Sequence, residues 1–526
     1  MAGRSERMSP VDTAWLRMDR ATNRMVIIGI MMLDGPVDYR RLEATLADRL
    51  LAYGRFRQRV EERPTGFWWV DDPGFDIGRH VRRLRLPGEG GKDELQRYVA
   101  ELASQPFDMA HPPWRFDIIE AYRGGAAIVS RLHHAIADGM ALTAVVLSMT
   151  DGAPEGAPDG APDGGDGRPP AIGEPAPATA DAVEAAPMSA RFGDAGAQPS
   201  GEVLRALQAL AGEPDFAAQS LRAGAGIASE LAYLLLMPSD SPTRFKGVPS
   251  GNKRVAWNEP LRLPDVKAAS HALDCSVNDI LLAAVAGALR SYLQDRGDPI
   301  DDIGVRALVP VNLRPAGQEH LLGNRFGIIA ALLPVGIADP VERLYETRRR
   351  MLALKQTNEA LVTYGLFAVL GLAPKLVQDK FFDLLISRAS AVMTNVPGPQ
   401  KPIYLAGSRI REIMFWVPQS GDIGMGVSIL SFDGKVQFGL ITDAAMVPDP
   451  EEIVARIGPE FEQLLYFVLM SPWSVDGPAT ERTPLAPKPV SKPSARKARP
   501  RGSRSAAKRP ARPAPAAKRS RAGKAG

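Results

Sequence analysis

Residues 151 to 175 read "DGAPEGAPDGAPDGGDGRPPAIGEP", an acidic near-repeat of glycine, alanine and proline. Branched and aromatic residues stay scarce to about Ser200. Such a segment cannot bury enough apolar surface to offset the entropy that ordering costs. We therefore expect a disordered linker over residues 151–203, between a first globular domain at 1–150 and a second at 204–471. Two domains also suit the 526-residue length, because a single hydrophobic core stops growing at roughly 250 to 300 residues.

The C-terminal end differs from the rest of the chain in charge. Residues 488–526 contain fourteen lysines and arginines and no acidic residue, and taking these fourteen from the net charge of +4 leaves −10 for residues 1–487. Long blocks of one charge are usually disordered interaction segments. We expect residues 472–526 to form a disordered basic tail on an acidic body.

The number of cysteines and the hydropathy of the chain indicate where in the cell the protein is located. Cys275 is the only cysteine, which excludes an intramolecular disulfide and a cysteine-based zinc site. The first twenty residues carry charges throughout and lack the apolar core of a secretory signal. No run reaches the roughly 18 apolar residues that a membrane-spanning helix needs. We expect a cytoplasmic protein whose contact with membranes is peripheral.

Local patterns predict both strands and helices in each half. In the first half, "FDIIEAY", "RGG" and "AAIVSRLHH" are typical of two strands joined by a tight turn, and "MALTAVVLSM" is typical of a buried helix. In the second, "SVNDILLAAVAGALRSYL" predicts a helix with Ser276 as N-cap, and "VRALVPVNL" and "MGVSILSFDGKVQFGLIT" predict strands. The fold class is therefore α/β with mixed sheets.

The sequence "HHAIADG" is placed between the predicted strand and the predicted helix. An imidazole with an ordinary pKa near 6.5 is mostly neutral at neutral pH, so His133 or His134 can accept a proton from a hydroxyl. Adjacent side chains at a strand end point to opposite faces, so one of the two faces a given cleft. Asp138 is close enough to hold a ring or anchor the turn, and Gly139 permits a positive φ or close approach of another segment.

Other interpretations of the motif stay open at this point. A histidine at the end of a buried strand is, taken alone, more often a packed core residue than a catalyst. Zinc binding is disfavoured because adjacent histidines diverge and no HExxH spacing is present. There is no Gly-x-Ser-x-Gly sequence and no reactive cysteine setting, so a direct transfer assisted by a base suits the residues better than a covalent mechanism.

"HHAIADG" matches HHxxxDG, the motif shared by chloramphenicol acetyltransferase and peptide-synthetase condensation domains. Further segments, from "MSPVDTAWLRMD" near the start through "FDMAHPPW", "SVNDILLAAVAGALRSYL", "LVPVNLR" and "LGNRFG" to "TNVPGP", make the chain resemble the bacterial wax ester synthase/diacylglycerol acyltransferase family. The resemblance implies two chloramphenicol-acetyltransferase-like domains with an active-site channel between them. It implies transfer of a fatty acyl group from acyl-CoA to diacylglycerol or a long-chain alcohol.

The resemblance also assigns roles within the motif. It makes His134 the general base, leaves His133 to support it from the other face, and turns Asp138 away to pair with an arginine. We expect that arginine to be Arg314 in "PVNLR". No metal or prosthetic group is needed for this chemistry, so no cofactor is expected and acyl-CoA is a substrate.

Five further residues match family segments and have structural alternatives. Asn278 and Asp279 match a pair linked to activity, although a carboxylate three residues after the N-cap is typical of a capping box. Asn395 is expected between a helical stretch and a Pro/Gly turn, where it either braces the turn or contacts substrate. Asn324 suits a substrate-site role or a simple Gly-Asn turn. Trp114, which follows Pro113 where the family usually has leucine, is expected to be a packing residue.

Two segments bear on partners. The apolar stretch from Glu359 to Met393 predicts buried helices of the second domain, with an interfacial helix facing a membrane or lipid inclusion as the alternative. The basic tail is suited to anionic lipid surfaces or to nucleic acid, and the lipid surface is favoured because residues 488–526, which carry the basic charge, contain no aromatic residue for base stacking. Two rival functions stay open. They are a condensation-type acyltransferase that uses a carrier-protein thioester, and a non-catalytic lipid-droplet or nucleic-acid surface protein.

Overall fold

The computed structural model describes residues 5–152, 237–315 and 322–471. The predicted linker lies outside these ranges except for its first two residues, and the predicted tail lies outside them entirely. The domain boundaries drawn from composition therefore stay predictions.

The described part of the chain contains strands and helices in both halves. Its strands are β1 (Ser5–Arg7), β2 (Val26–Leu33), β3 (Gln58–Arg63), β4 (Gly66–Asp71), β5 (Val81–Leu84), β6 (Trp114–Tyr122), β7 (Gly125–His133), β8 (Lys253–Trp257), β9 (Leu261–Arg262), β10 (Val305–Asn312), β11 (Phe326–Leu333), β12 (Ala391–Pro397), β13 (Tyr404–Leu405), β14 (Ser408–Trp416), β15 (Met425–Phe432) and β16 (Lys435–Asp443). Its α-helices are α1 (Pro10–Arg17), α2 (Tyr39–Thr45), α3 (Lys92–Ser104), α4 (Gly139–Ser148), α5 (Leu263–Ala272), α6 (Val277–Asp295), α7 (Pro340–Leu354), α8 (Glu359–Leu372), α9 (Lys375–Ile386) and α10 (Pro450–Met470). Short π and 3-10 turns cover Leu46–Leu50, Gly54–Arg57 and Ile77–Arg79.

A six-stranded mixed sheet carries the histidine pair. Its order is β13-β14-β2-β7-β6-β5, and its centre includes the predicted hairpin of β6 and β7. Arg123 and Gly124 turn the hairpin with positive φ, as the "RGG" sequence predicts. Apolar side chains cover both faces of this sheet, because Ile128 and Val129 on β7 belong to separate buried clusters. The predicted buried helix follows directly as α4.

The second large sheet has the order β11-β10-β12-β15-β16-β8, with β9 also paired to β16. Strand β12 is parallel to both of its neighbours, β10 and β15. The β15–β16 hairpin is antiparallel, and its turn residues Asp433 and Gly434 have positive φ. Both parallel and antiparallel pairs are therefore present, and the predicted mixed α/β fold is confirmed. A three-stranded sheet, β1-β4-β3, completes the first half.

Strand β14 crosses between the two halves. It comes from the second half of the sequence but pairs antiparallel with β2 in the first sheet, from Ile410 opposite Leu33 to Trp416 opposite Ile28. The pairing covers an edge of β2 that would otherwise present unpaired N–H and C=O groups. The first sheet therefore depends on chain from both halves.

Helix α6 forms the centre of the core behind the second sheet, and most of its length is buried. Its start is the predicted capping box. The Ser276 Oγ accepts from the Asp279 N–H at 3.1 Å, and the Asp279 carboxylate accepts from the Ser276 N–H at 2.9 Å. Asp279 thus has the structural role that its spacing indicates.

Helix α8 covers the edge strand β11 with side-chain acceptors. The Thr363 hydroxyl accepts from the Ile328 N–H at 2.7 Å, and the Glu359 carboxylate accepts from the Ala330 N–H at 2.9 Å. The prediction of buried helices over this apolar segment is thus confirmed for α8. It is wrong for the segment's end, which from Ala391 forms strand β12 because the second sheet requires a strand between β10 and β15.

No helix among the described residues is by itself long and apolar enough to cross a bilayer. The pair α5 and α6 meets the length and composition limits only when taken together, across a bend of 101°.

Gly371 in α8 lets that helix pack directly against the start of α1. A Cβ at this position would lie 1.7 Å from the Pro10 carbonyl oxygen. We predict that Gly371→Ala lowers the free energy of unfolding by about 1–3 kcal/mol, because the two backbones must separate. Gly54→Ala is the control, since a Cβ there meets no atom within 4 Å. Denaturant unfolding of both variants measures the effect, and equal midpoints would contradict it.

Candidate active site

His133 is held inside the protein by two hydrogen bonds. Its Nε2 lies 3.2 Å from an Asp19 carboxylate oxygen, and its Nδ1 accepts from the Ala135 N–H at 3.1 Å. The pairing requires the proton on Nε2, because Nδ1 is occupied as an acceptor. The ring is completely buried. His133 is therefore in a supporting position, as the alternation of side chains predicts.

His134 lies on the other side of the strand end and lines a cavity. Its backbone N–H donates to the Met25 carbonyl at 2.8 Å, and its ring stacks on Trp15 with centroids 4.3 Å apart and planes 18° apart. Its Nδ1 is buried and has no hydrogen-bond partner among the described residues. Burial lowers the pKa of His134 to about 4, and the nearby Asp138 carboxylate offsets only part of this effect.

Asp138 is the N-cap of α4 and pairs with the arginine that the sequence indicated. One carboxylate oxygen accepts from the Ala141 N–H at 3.0 Å. The other accepts from Arg314 Nη1 at 2.5 Å and from the Arg325 N–H at 3.0 Å. Both side chains of the ion pair are almost fully buried. The carboxylate is thus engaged in holding the turn and the chain at residues 314–325.

Gly139 differs from the expectation of a strained or closely packed backbone. It is the first residue of α4, its φ is not positive, and a Cβ would meet no atom within 4 Å. The prediction was wrong because Asp138, as N-cap, makes the turn without help from glycine. Gly139 lines the cavity instead, where the missing side chain leaves space beside His134.

Asn324 joins the first helix to the histidine turn. Its backbone N–H and its Nδ2 both donate to one Asp12 carboxylate oxygen, at 3.1 and 2.8 Å, and Nδ2 also lies 3.1 Å from the His134 carbonyl oxygen. The preceding Gly323 has a φ of +100°, which explains the glycine there. Asn324 is therefore a supporting residue of the site as well as part of a turn.

The cavity lies between the two large sheets. Its wall is mainly apolar, with side chains from β2 and β14 of the first sheet, from β10, β11 and β12 of the second, and from α1, α8 and α9. The apolar lining includes Trp15, Met18, Met25, Ile27, Met140, Leu308, Phe326, Ile328, Phe367, Phe382, Ile386, Val392, Val396 and Phe415. The polar side chains among the lining residues are His134, Asp138, Asn312, Glu359, Thr363, Thr394, Asn395 and Ser420. Such a wall is suited to a long aliphatic chain with a reactive group beside His134.

Asn395 also differs from its predicted setting. It lies within strand β12 rather than in a loop, and its Nδ2 donates to the Asn278 Oδ1 at 3.0 Å. Asn395 lines the cavity, and the pair links β12 to the first turn of α6. The loop prediction failed because the "TNVP" sequence before the Pro/Gly turn is paired with β15 along its whole length.

Trp114 is a packing residue, as expected. It is 1% exposed, stacks on His80, and donates from its indole nitrogen to the Phe56 carbonyl at 2.8 Å. It does not line the cavity. The adjacent Pro113 contributes its carbonyl, which accepts from the His133 N–H at 3.0 Å.

The sequence motifs single out no residue of α1 or of the turn after it, yet three side chains of this segment contact the site, two from α1 and one from the turn. Asp12 binds Asn324, Trp15 stacks on His134, and Asp19 binds His133. The signal that could have found them is their spacing, which places Asp12 and Trp15 on one helical face and Asp19 just beyond it. Within the described ranges, no group of three His, Cys, Asp or Glu side chains could hold a metal ion.

Comparisons with known proteins agree with this architecture. Residues 8–281 match the wax ester synthase/diacylglycerol acyltransferase catalytic domain, and residues 322–465 match the WS/DGAT C-terminal domain. A Mycobacterium tuberculosis protein named "Probable diacyglycerol O-acyltransferase tgs1" is 28% identical over 462 residues, which cover 86% of this chain and 94% of that protein.

Two solved structures share the fold. The wax ester synthase/diacylglycerol acyltransferase of Marinobacter aquaeolei VT8 superposes with a TM-score of 0.60 at 21% identity, covering 88% of this chain and all of that one. The first condensation domain of the calcium-dependent antibiotic synthetase gives 0.53 at 13% identity, covering 92% and 99%. The predicted chloramphenicol-acetyltransferase-like fold is thereby confirmed. The chain belongs to the wax ester synthase/diacylglycerol acyltransferase family and is an acyltransferase.

Proposed function

We propose that this acyltransferase moves a long-chain acyl group from acyl-CoA to the hydroxyl of diacylglycerol or of a long-chain alcohol, with His134 as general base. The observation that carries the proposal is a neutral imidazole in the wall of an apolar cavity between two sheets. Triacylglycerol or a wax ester is the product.

The reaction needs one proton acceptor and no covalent enzyme intermediate. His134 takes the proton of the acceptor hydroxyl while that oxygen bonds to the thioester carbonyl carbon. The carbon–sulfur bond then breaks, and His134 returns the proton to the CoA thiolate. General base catalysis of this kind contributes about 10² to 10⁴ in rate. No metal or prosthetic group takes part in these steps.

The surroundings of His134 suit this task. Its low pKa keeps the ring neutral at neutral pH, ready to accept a proton. Asp138 is bound to Arg314 and the α4 N-terminus, so it holds the turn and does not relay charge to the ring. The apolar wall excludes water that would hydrolyse the thioester.

The cavity favours aliphatic substrates but discriminates weakly among them. Each buried methylene contributes about 0.8 kcal/mol, so neighbouring chain lengths differ only a few-fold in binding. We therefore propose activity with several acyl-CoA lengths.

We predict that His134→Ala abolishes ester formation from labelled palmitoyl-CoA with either hexadecanol or diacylglycerol, to below about 1% of the wild-type rate. His271→Ala, an exposed histidine on α5, is the control and should retain full activity. Full activity of His134→Ala, or no ester from either acceptor with the wild-type protein, would refute the proposal. Transfer from an acylated carrier protein but not from acyl-CoA would favour the condensation-type alternative.

The pH dependence of kcat/KM provides a second prediction. Since the pKa of His134 is lowered to about 4 in the folded protein, the neutral base persists as the pH falls from 8 to 5. Activity should therefore stay nearly constant over that range and fall only near pH 4, whereas a base with an ordinary pKa would lose half its activity near 6.5. Circular dichroism at each pH separates loss of the base from unfolding. A half-maximal rate near pH 6.5 in folded protein would contradict the assignment.

We also propose that the enzyme works in the cytoplasm at an anionic membrane or lipid-inclusion surface. Support comes from the end of α8 and from α9, where Leu372, Leu376, Val377 and Leu384 are exposed. Lys380 is also exposed, and helices that lie in a lipid interface combine exposed apolar side chains with lysines in this way. Phe382 and Ile386 of the same helix line the cavity, so lipid at this surface would be one helix away from the site. The basic tail adds attraction to anionic head groups, at about 1 kcal/mol per cation near the surface.

Vesicle flotation tests the surface. We predict that Leu376→Glu combined with Leu384→Glu weakens binding to phosphatidylcholine vesicles about tenfold or more, because two apolar contacts are replaced by charges. Leu352→Glu, at an exposed leucine on α7, is the matched control and should bind as the wild type does. Truncation after Ser471 should weaken binding only to anionic vesicles and should leave catalysis intact. Loss of catalysis on truncation would favour a function carried by the tail, and equal binding of all variants would refute the surface.

A further inference from the structure

We propose that α1 and the turn after it position the catalytic base through Asp12, Trp15 and Asp19. The proposal rests on His134 being the base and adds three positioning residues to it. The segment "MSPVDTAWLRMD" contains all three, and none of them has a part in the proton transfer described above.

The spacing of Asp12 and Trp15 follows the period of a helix, and Asp19 follows in the turn after it. Steps of three and four residues bring side chains to the same face, since a helix has 3.6 residues per turn. Asp12 and Trp15 lie within α1, and Asp19 lies two residues beyond its end. One side of this element therefore faces the histidine turn over about two helical turns.

Trp15 contacts the ring of His134 directly. The two rings are stacked, 4.3 Å between centroids, and Trp15 also packs on Phe326 and Phe367. The indole is 7% exposed. A flat side chain fixed on three sides restricts rotation of the imidazole and keeps water from its face.

Asp12 holds the backbone of the same residue through Asn324. It accepts two hydrogen bonds from Asn324, whose amide lies 3.1 Å from the His134 carbonyl oxygen. Asp12 is itself buried, with Arg55 at 4.0 Å. The carbonyl of His134 and the start of α1 are thus joined through one buried amide.

Asp19 fixes the neighbouring histidine. Its carboxylate accepts from His133 Nε2 at 3.2 Å and from Arg24 Nη1 at 3.2 Å. Because His133 immediately precedes the base, rotation of its ring or backbone would displace His134. The three contacts therefore act on the ring, the carbonyl and the preceding residue of the base.

Helix α1 is anchored on its other side to α8 and α9. Arg17 Nη1 donates to the Ala373 carbonyl at 2.8 Å, and Gln378 Nε2 donates to the Ala14 carbonyl at 3.1 Å. An element fixed at both sides can transmit its position to the base. A displacement of about 1 Å at a reacting group can cost 10² in rate.

Steady-state kinetics of Trp15 variants test the proposal in the full-length protein. Trp15→Ala should lower kcat at least tenfold with KM for acyl-CoA within threefold. It should also move the acid limb of the pH profile upward, because water reaches the ring. Trp15→Phe keeps a flat face and should stay within about threefold of wild type with an unmoved limb. Trp416→Phe is the matched control, because Trp416 is also a buried tryptophan but does not line the cavity.

The charged and titratable groups around His134 are the same in wild type and variants, so a shifted limb reports the ring's surroundings. These groups are His133 on β7, Asp138 at the start of α4 with its partner Arg314, Glu359 on α8, and Asp12 and Asp19 from α1 and its turn. If Trp15→Ala does not fold, Trp15→Leu replaces it, with the same expected fall in kcat.

Three results would overturn the proposal. The first is kcat within threefold of wild type in both Trp15→Ala and Trp15→Leu. The second is a raised KM with unchanged kcat, which would make Trp15 only a wall of the cavity. The third is a Trp15 variant whose activity falls only as much as its folded fraction falls, while the acid limb of its pH profile stays where it is in the wild type. Failure of His134 as base is distinguished independently, because His134→Ala would then remain active.

Discussion

The buried ion pair of Asp138 and Arg314 is the interaction on which the site's geometry depends. Removing two charges from water costs several kcal/mol per ion, and this cost is recovered only where the remaining lone pairs and protons are also bonded. Here the carboxylate also accepts from the Ala141 and Arg325 N–H groups, and the guanidinium also binds the Gly323 carbonyl. The ion pair therefore fixes the relative position of two chain segments more than it increases the free energy of unfolding. It joins the start of α4, in the first half, to the chain leading into β11, in the second.

The same enclosure determines the chemistry of His134. Burial in an apolar wall raises the free energy of the charged imidazolium, so the pKa of His134 falls and the ring is neutral at neutral pH. The neighbouring Asp138 carboxylate favours the imidazolium, but its effect on the pKa is smaller than that of burial. The arrangement leaves a weak but unprotonated base at neutral pH. Weak basicity suits the proposed reaction, in which the proton is held briefly and then passed to a thiolate.

Features determined by neighbouring residues could be predicted from the sequence. The β6–β7 hairpin, the capping box at Ser276 and Asp279, and the Asp–Gly turn at Asp433 each depend on one short stretch of consecutive residues. The partner of Asp138 was found because the resemblance supplied both the role and the segment. No local pattern specifies that β14 pairs with β2, since these strands are separated by hundreds of residues and each is a suitable edge for many partners.

Errors at Gly139 and Asn395 have the same physical origin. Each residue was expected at a turn because glycine and asparagine are common there, whereas Gly139 begins α4 and lines the cavity, and Asn395 lies in β12 and binds Asn278. The contacts of α1 are a third case, since His133 lies 114 residues from Asp19 and Asn324 lies 312 residues from Asp12. Long-range contacts of this kind become visible only when the sheets are assembled.

Helix α1 connects two parts of the protein that the sequence presents as unrelated. Its polar contacts reach α9 and the loop before it through Arg17 and Gln378, and its opposite contacts reach the histidine turn through Trp15 and Asn324. Helix α9 has exposed leucines on its outer side and contributes Phe382 to the cavity. A lipid surface that presses on α9 would thus act on an element that is bonded to the support of the base. The short helix α1 thus joins the proposed place of substrate capture to the proposed place of proton transfer.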